Sequence, residues 1–205
     1  MAGSRFAGHI RVWLLAAPLM LCVLAPMLPE SERFEIGADE QTSVEAVLGD
    51  VRASGATGAA NERFRAWFVD SGLLRSSLSG SASSSALSDA GASDLGRRWV
   101  RNFWMTIYRA LYRAAVAHTW AFGAIVFLIA MLNDGAVARH IKASAAGFAS
   151  PLSFHLAAHG LLVTFGIGAS ALLVPVPLLA YCWSAAALLV GVLGWRLAAS
   201  FHVNR

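Results

Sequence analysis

The chain has 205 residues, of which 57% are hydrophobic and only 14% charged, whereas a soluble domain carries about 25% charged residues. With a mean hydropathy of +0.59, the first expectation is a membrane protein. The net charge of +4 rests almost wholly on arginine, since Lys142 is the only lysine; it follows Ile141 rather than a glycine, so no phosphate-cradling P-loop exists and ATP hydrolysis by that route is excluded.

Residues 12–28 form the first of four stretches free of Asp, Glu, Lys and Arg; the others are 114–132, 156–174 and 178–195. Each approaches the roughly 20 apolar residues that a helix needs to cross a bilayer. Arg5 and Arg11 ahead of the first stretch also fit the charged start of a secretion signal. Its exit, "VLAPMLPES", lacks a small-x-small cleavage site, and Leu21 before Cys22 spoils a lipobox, so the expectation is a retained anchor. Cys22 and Cys182 lie in apolar runs and form no CxxC pair, which points to neither a disulfide scaffold nor a dithiol relay.

The segment 30–113 reads as an extramembrane loop. Thr42 and Glu45 have capping-box spacing, and Val44, Val47, Leu48 and Val51 follow at helical intervals, predicting a short amphipathic helix that starts at Thr42. A second helix, "NERFRAWFVDSGL", places Phe64, Trp67 and Phe68 on one stripe and stops near Gly72. Residues 76–96 hold nine serines with Gly and Ala and no large apolar face, the composition of a flexible linker.

Residues 97–113, "RRWVRNFWMTIYRALYR", predict a basic amphipathic helix. At 100° per residue, Arg97, Arg98, Arg101, Arg109 and Arg113 fall on one side, and Trp99, Val100, Phe103, Trp104, Ile107 and Leu111 on the other. Three readings follow. The favoured one lays the helix on lipid headgroups, with Arg97, Arg98, Trp99, Arg101, Phe103, Trp104, Arg109 and Arg113 as the membrane-binding set. Another is a solvated face on a helix packed against the other loop helices. The third, a grip on DNA phosphates, is disfavoured because the expected topology keeps this helix out of the cytoplasm.

That topology follows from helix parity. The N-terminus (Arg5, Arg11), the 133–155 loop (Arg139, Lys142) and the tail (Arg196, Arg205) share one side and hold six cations, which makes that side cytoplasmic. The arginines of 97–113 oppose this, but a loop longer than about 60 residues translocates largely regardless of its charge. The final two stretches are joined by "VPVP" and predict an antiparallel hairpin. Gly160, Thr164 and Gly168, and Ala187, Gly191 and Gly194, repeat at helical spacing and predict close packing within the chain rather than between copies.

His155 and His159, in "SFHLAAHG", have the four-residue spacing of a zincin pair, but Leu156 stands where that chemistry needs a glutamate base. Haem ligation needs imidazoles from two helices at matching depth. His118 and the 155/159 pair sit at opposite ends of their stretches, while His140 and His202 approach from the cytoplasmic side. Hydrogen bonding between helices or at the interface is favoured over a metal role. The apolar mid-depths argue against ion-coupled transport. Gly166 to Ala171 matches a dinucleotide fingerprint in letters only, because it lies inside a stretch and not after a strand; no G-x-S-x-G elbow occurs.

The strings "ERFRAWFVDSGL", "RRWVRNFWMTIYRALYR" and "DGAVARHIKASAAGFASPLSFHLAAHG" resemble the membrane-protein family encoded in integrating conjugative elements, related to a conjugal-transfer family of unknown molecular function. The marker residues are Asp134, Gly135, Arg139, Ser150, Pro151 and His155, with Phe154 where the family favours Tyr. The resemblance implies an inner-membrane component of conjugative DNA transfer or of its type IV secretion machinery, and it implies no catalytic residues and no cofactor.

The sequence therefore predicts an all-α integral membrane protein of four transmembrane helices, with a helical extramembrane loop and an interfacial amphipathic helix. Its parts are 1–29, 30–113 and 114–205. It is expected to be non-enzymatic, bound to the lipid bilayer and to other membrane proteins of a conjugation apparatus, without direct nucleic-acid contact. The alternatives are a small metal- or haem-binding membrane protein using His155 and His159, and an element-encoded modulator of a competing mating channel.

Overall fold

A computed structural model describes residues 5–81, 92–145 and 150–201, and every regular element among them is helical. In chain order these are α1 (Arg5–Ile10), a π-helical stretch (Arg11–Ala16), α2 (Ala17–Leu24) and two 3-10 turns (Ala25–Met27 and Ser31–Phe34). There follow α3 (Ala38–Leu48), α4 (Asp50–Phe64), a second π-helical stretch (Arg65–Val69), α5 (Leu73–Ser81), α6 (Ala92–Ser144), α7 (Pro151–Leu173) and α8 (Tyr181–Ala199). Four helical segments are long and apolar enough to cross a bilayer: Gly8–Met27, Asp94–Ser144, Pro151–Leu173 and Tyr181–Ala199. Each overlaps one of the four uncharged stretches.

Three boundaries differ from the sequence expectations. The helix expected to start at Thr42 starts at Ala38 with Gly37 at its N-cap, no side chain caps it, and Thr42 is an interior residue. It ends at Gly49, whose φ of 76° is open to glycine and strained for other residues. Val51 therefore lies beyond the break, on α4, and is exposed instead of extending the Val44 stripe.

The expected linker 76–96 is helical at both ends. Ser76, Ser77 and Ser79 donate their hydroxyls to the carbonyls of Leu73, Leu74 and Ser76 at 2.9–3.0 Å, a back-bonding that lets serine stay in a helix. The centre of the linker, residues 82–91, lies outside the described residues, as do 146–149 and His202.

Helix α6 is 53 residues long, about 80 Å at 1.5 Å per residue. It absorbs both the basic segment 97–113 and the first part of the loop expected at 133–155, so Asp134, Gly135 and Arg139 are helical. No proline interrupts residues 92–144, which leaves the hydrogen-bond ladder unbroken.

The contacts divide the chain into two compact units. One comprises Met1–Ala16, Trp120–Gly168 and Tyr181–Arg205, the other Ala17–Thr119 and Ala169–Ala180. In the first unit the helices meet through glycine. A Cβ on Gly135 would stand 2.5 Å from the Trp195 carbonyl oxygen, one on Gly166 would stand 2.7 Å from the Trp13 carbonyl oxygen, and one on Gly191 would stand 2.2 Å from the Phe127 ring. Phe154 at the start of α7 meets Phe201 just past α8, and Gly160 further along α7 faces Leu193 earlier in α8, so the two helices run antiparallel, as the short "VPVP" connection requires.

The small-residue seams thus pack within the chain, with one change: Gly168 has nothing within 4 Å, and Gly166 takes the close approach. Large apolar side chains meanwhile point outward, Phe122 being 80% and Leu156 71% exposed. In the second unit the buried apolar groups are Phe34, Val44, Tyr112, Ala115 and Val116, with Ala53, Ala56 and Ala60 at helical spacing on α4.

Because its Cβ would meet backbone, Gly135→Val is expected to cost about 1–3 kcal/mol by overpacking. Gly168→Ala, in open space, is expected to be neutral or to stabilise by up to about 1 kcal/mol through helix propensity. Thermal unfolding midpoints of the two variants in mild detergent check the contrast; equal midpoints would refute the packing assignment.

Candidate functional site

Asn102, Thr106, Arg109 and Arg113 recur on α6 at intervals of four, three and four residues, which aligns them on one face, and all four are buried. From Asn102 to Arg113 the inward face of α6 is thus largely polar, with the apolar Ala115 and Val116 buried beyond it, while Trp99, Phe103 and Trp104 are only half-buried.

Arg113 is 1% exposed, and each of its five N–H groups has an acceptor. Nε and Nη2 each donate at 2.7 Å to a different carboxylate oxygen of Glu40, a bidentate pair of the strong, charge-assisted kind. Nη1 donates to the carbonyls of Ala171 at 2.7 Å and Val174 at 2.8 Å, and Nη2 also donates to that of Val176.

The need for these donors is written in the sequence. Four residues after Ala171 stands Pro175, which has no N–H to close the last helical turn. Glu40 is equally engaged, because its Oε2 also accepts the Leu178 N–H at 3.0 Å. Ser43, one turn along α3, accepts the Ala180 N–H at 2.7 Å.

Arg109 donates through Nη2 to the Glu35 carbonyl. Burial, with the charge of Arg113 beside it, lowers its pKa to about 10, which leaves it charged at neutral pH. Asn102 donates to the carbonyls of Pro26 and Leu28, both at 3.2 Å, and Trp99 donates its indole N–H to the Val23 carbonyl at 2.9 Å. The polar stripe of α6 therefore fastens the chain after α2, the start of α3 and the connection that follows α7.

These contacts correct part of the membrane-binding set. Arg113 is spent on internal partners, and Arg109, buried with its one bond to the Glu35 carbonyl, is likewise closed to headgroups. Trp104 donates to the Ser77 hydroxyl at 2.8 Å and packs edge-on to Phe64 at 6.1 Å and tilted against Phe68 at 5.1 Å. Phe103 stacks on Trp99 at 5.2 Å, and Tyr108 donates to Asn61 at 2.7 Å. Helix α6 is packed against the other loop helices, as the second of the three readings expected, but the part of its arginine face at Arg109 and Arg113 is buried and not solvated. Arg97, bonded to Asp94, remains exposed with Arg98 and Arg101.

The marker residues have structural partners in the first unit. Asp134 accepts the Trp195 indole N–H at 2.7 Å, and Gly135 lies against the backbone of the same tryptophan. Arg139 stands 5.9 Å over the Phe201 ring, which also contacts Phe154 at 5.7 Å, and Phe154 meets His155. The Ser150 hydroxyl accepts the Ser153 N–H at 3.4 Å with Pro151 opening the helix, the usual arrangement at a helix start.

His155 and His159 go separate ways. The His159 ring meets that of His9 at 5.0 Å, and among the described residues no three of His, Cys, Asp and Glu gather as a metal site would need. Sequence reasoning missed Glu40, Asn102, Thr106, His9 and Trp195. For Asn102 and Thr106 a signal existed, in the Asn-Thr-Arg-Arg spacing.

A family model described as "IncC plasmid conjugative DNA transfer protein DtrJ-like" matches residues 30–202, most of the chain. No curated protein and no solved structure matches.

Removing one member of a buried ion pair strands the other's charge, at a cost of about 3–5 kcal/mol. Glu40→Ala and Arg113→Ala are each expected to lose that much, and Arg113→Lys to fall short of wild type because an ammonium offers three donors in place of five. Unfolding midpoints in detergent measure this, and a Glu40→Ala protein as heat-resistant as wild type would sink the structural role of the pair.

Proposed function

The chain belongs to the DtrJ-like family of conjugative DNA transfer proteins, and from that premise we propose that it is a non-catalytic, multi-pass inner-membrane subunit of a bacterial conjugation apparatus of the type IV secretion kind. The observation that carries the membrane part of this reading is the inside-out first unit. Glycines line its interior while Phe122, Ile125, Leu156, Phe165 and Leu188 face outward. In water such a surface would be a large exposed apolar patch. In lipid it is the expected arrangement, because close backbone packing rather than apolar burial holds helices together there.

A structural or accessory role is supported by how the polar groups are used. The buried charged pair and the marker residues Asp134, Arg139 and Ser150 are committed to holding the fold. In this reading both termini are cytoplasmic and the residues between α2 and the apolar part of α6 are periplasmic. Partners are the lipid bilayer and other membrane proteins of the apparatus. The matching family is that of a plasmid transfer protein; carriage of this chain by an integrating element rests on the resemblance of residues 61–160.

Deleting the gene from a conjugative donor is expected to reduce transfer to background, and the wild-type chain, but not Glu40→Ala, restores it. A deletion that raised transfer would favour a modulator of a mating channel over a subunit. Alkaline phosphatase fused after Ser85 is expected to be active, whereas inactivity there would invert the orientation and return the arginines of α6 to the cytoplasm. Co-purification with channel proteins after mild detergent extraction tests the partnership.

A further inference from the structure

The second unit contains a cleft of about 490 Å³, walled by the segment before α3, by α4 and α5, and by one side of α6. Its volume lies within the roughly 300–1,000 Å³ of small-molecule sites. The floor is formed by the buried rings of Phe34 and Tyr112, and the walls by Ile36, Phe64, Leu74 and Trp104.

Most polar groups on the lining are already committed, and the charged groups there are the exposed Glu35 carboxylate and Arg101. Gln41 donates to the Ile36 carbonyl, Thr57 to that of Ala53, Trp104 to Ser77 and Tyr108 to Asn61. The Glu35 carbonyl is taken by Arg109. A peptide laid in this cleft would find few partners for its backbone N–H and C=O groups, which are costly to bury unpaired. A hydrocarbon chain makes no such demand.

At the rim stands Arg101, exposed and without an ion-pair partner among the described residues, one turn along from Arg97, which is bonded to Asp94. The α6 wall of the cleft ends at Tyr112, and the uncharged stretch of the same helix opens two residues later at Ala114. We propose that the cleft holds one acyl chain of a bilayer phospholipid, with the lipid phosphate at Arg101. This deepens the membrane reading above and rests on it: a helix that passes from the cleft directly into lipid brings the ligand within reach.

The test uses the full chain in nanodiscs of phosphatidylethanolamine and phosphatidylglycerol doped with a phospholipid carrying a photoreactive diazirine in its acyl chain. After irradiation the adducts are mapped by peptide mass spectrometry. Adducts are expected on Leu74, Leu78 and Trp104 as well as on the outward faces of α7 and α8. Leu74→Trp, which fills the cleft, should abolish the former and spare the latter. Arg101→Glu, on the exposed rim where it leaves the core untouched, should cut cleft adducts about tenfold, the worth of one charge-assisted hydrogen bond, with Arg101→Lys close to wild type.

Adducts on α7 and α8 with none in the cleft would overturn the acyl site and leave the membrane reading standing. Adducts on neither would overturn the membrane reading itself. Cleft adducts indifferent to both Leu74→Trp and Arg101→Glu would show unspecific labelling and overturn the site.

Discussion

Pro175 removes a hydrogen-bond donor from the end of α7, and Arg113 puts one back. That exchange organises the second unit. A helix end that runs into Val-Pro-Val-Pro has carbonyls in excess of N–H groups, and a guanidinium with five donors can serve several of them at once. The positive charge this brings inside would be costly alone, and Glu40 neutralises it with both carboxylate oxygens. Three segments far apart in sequence, α3, α6 and the connection 174–180, are fixed by one cluster. An apolar replacement of equal volume could fill the space, but it could not satisfy the carbonyls of Ala171, Val174 and Val176.

The rotation of α6 about its axis follows from this cluster. With Arg113 inward, Arg109, Thr106 and Asn102 are inward too, because they share its face. The aromatic residues are then turned to the flank, where Phe64 and Phe68 meet Trp104. Packing by large rings at varied angles leaves space that small side chains do not fill, and the cleft between α5 and α6 lies there. The ordinary amphipathic expectation, apolar face in and charged face out, is reversed along this part of the helix for a reason located at its far end.

Helix content, the four apolar segments and the α7–α8 hairpin were legible in the sequence because each depends on local composition: uncharged runs, and a connection too short for anything but a turn. The small-residue seams were legible in kind, and choosing Gly166 over Gly168 required knowing that Trp13 lies opposite. The burial of Arg109 and Arg113 was not legible because a helical wheel reports which residues share a face and is silent on what that face meets. Glu40 was hidden for the same reason: it lies 73 residues from Arg113. The capping box at Thr42 failed because Gly37 starts the helix earlier. The helical start of the serine run was missed because the hydroxyls of Ser76, Ser77 and Ser79 bond back to the helix.

The two units solve opposite problems with opposite residues. In the first, helices with apolar exteriors are drawn together by glycines, and the polar contacts such as Asp134 with Trp195 are few and single. In the second, a buried polar seam ties the helices together, and its ion pair is shared among three segments. Helix α6 takes part in both, and the change of residue type along it is abrupt: Arg113 is its last charged residue before twenty without charge, 114–133, the next being Asp134. Pairing with Glu40 cancels the charge at that boundary, and the five donated hydrogen bonds leave the guanidinium no need of water. A lysine there would retain the charge yet leave carbonyls unserved, which is why the boundary demands arginine and not merely a cation.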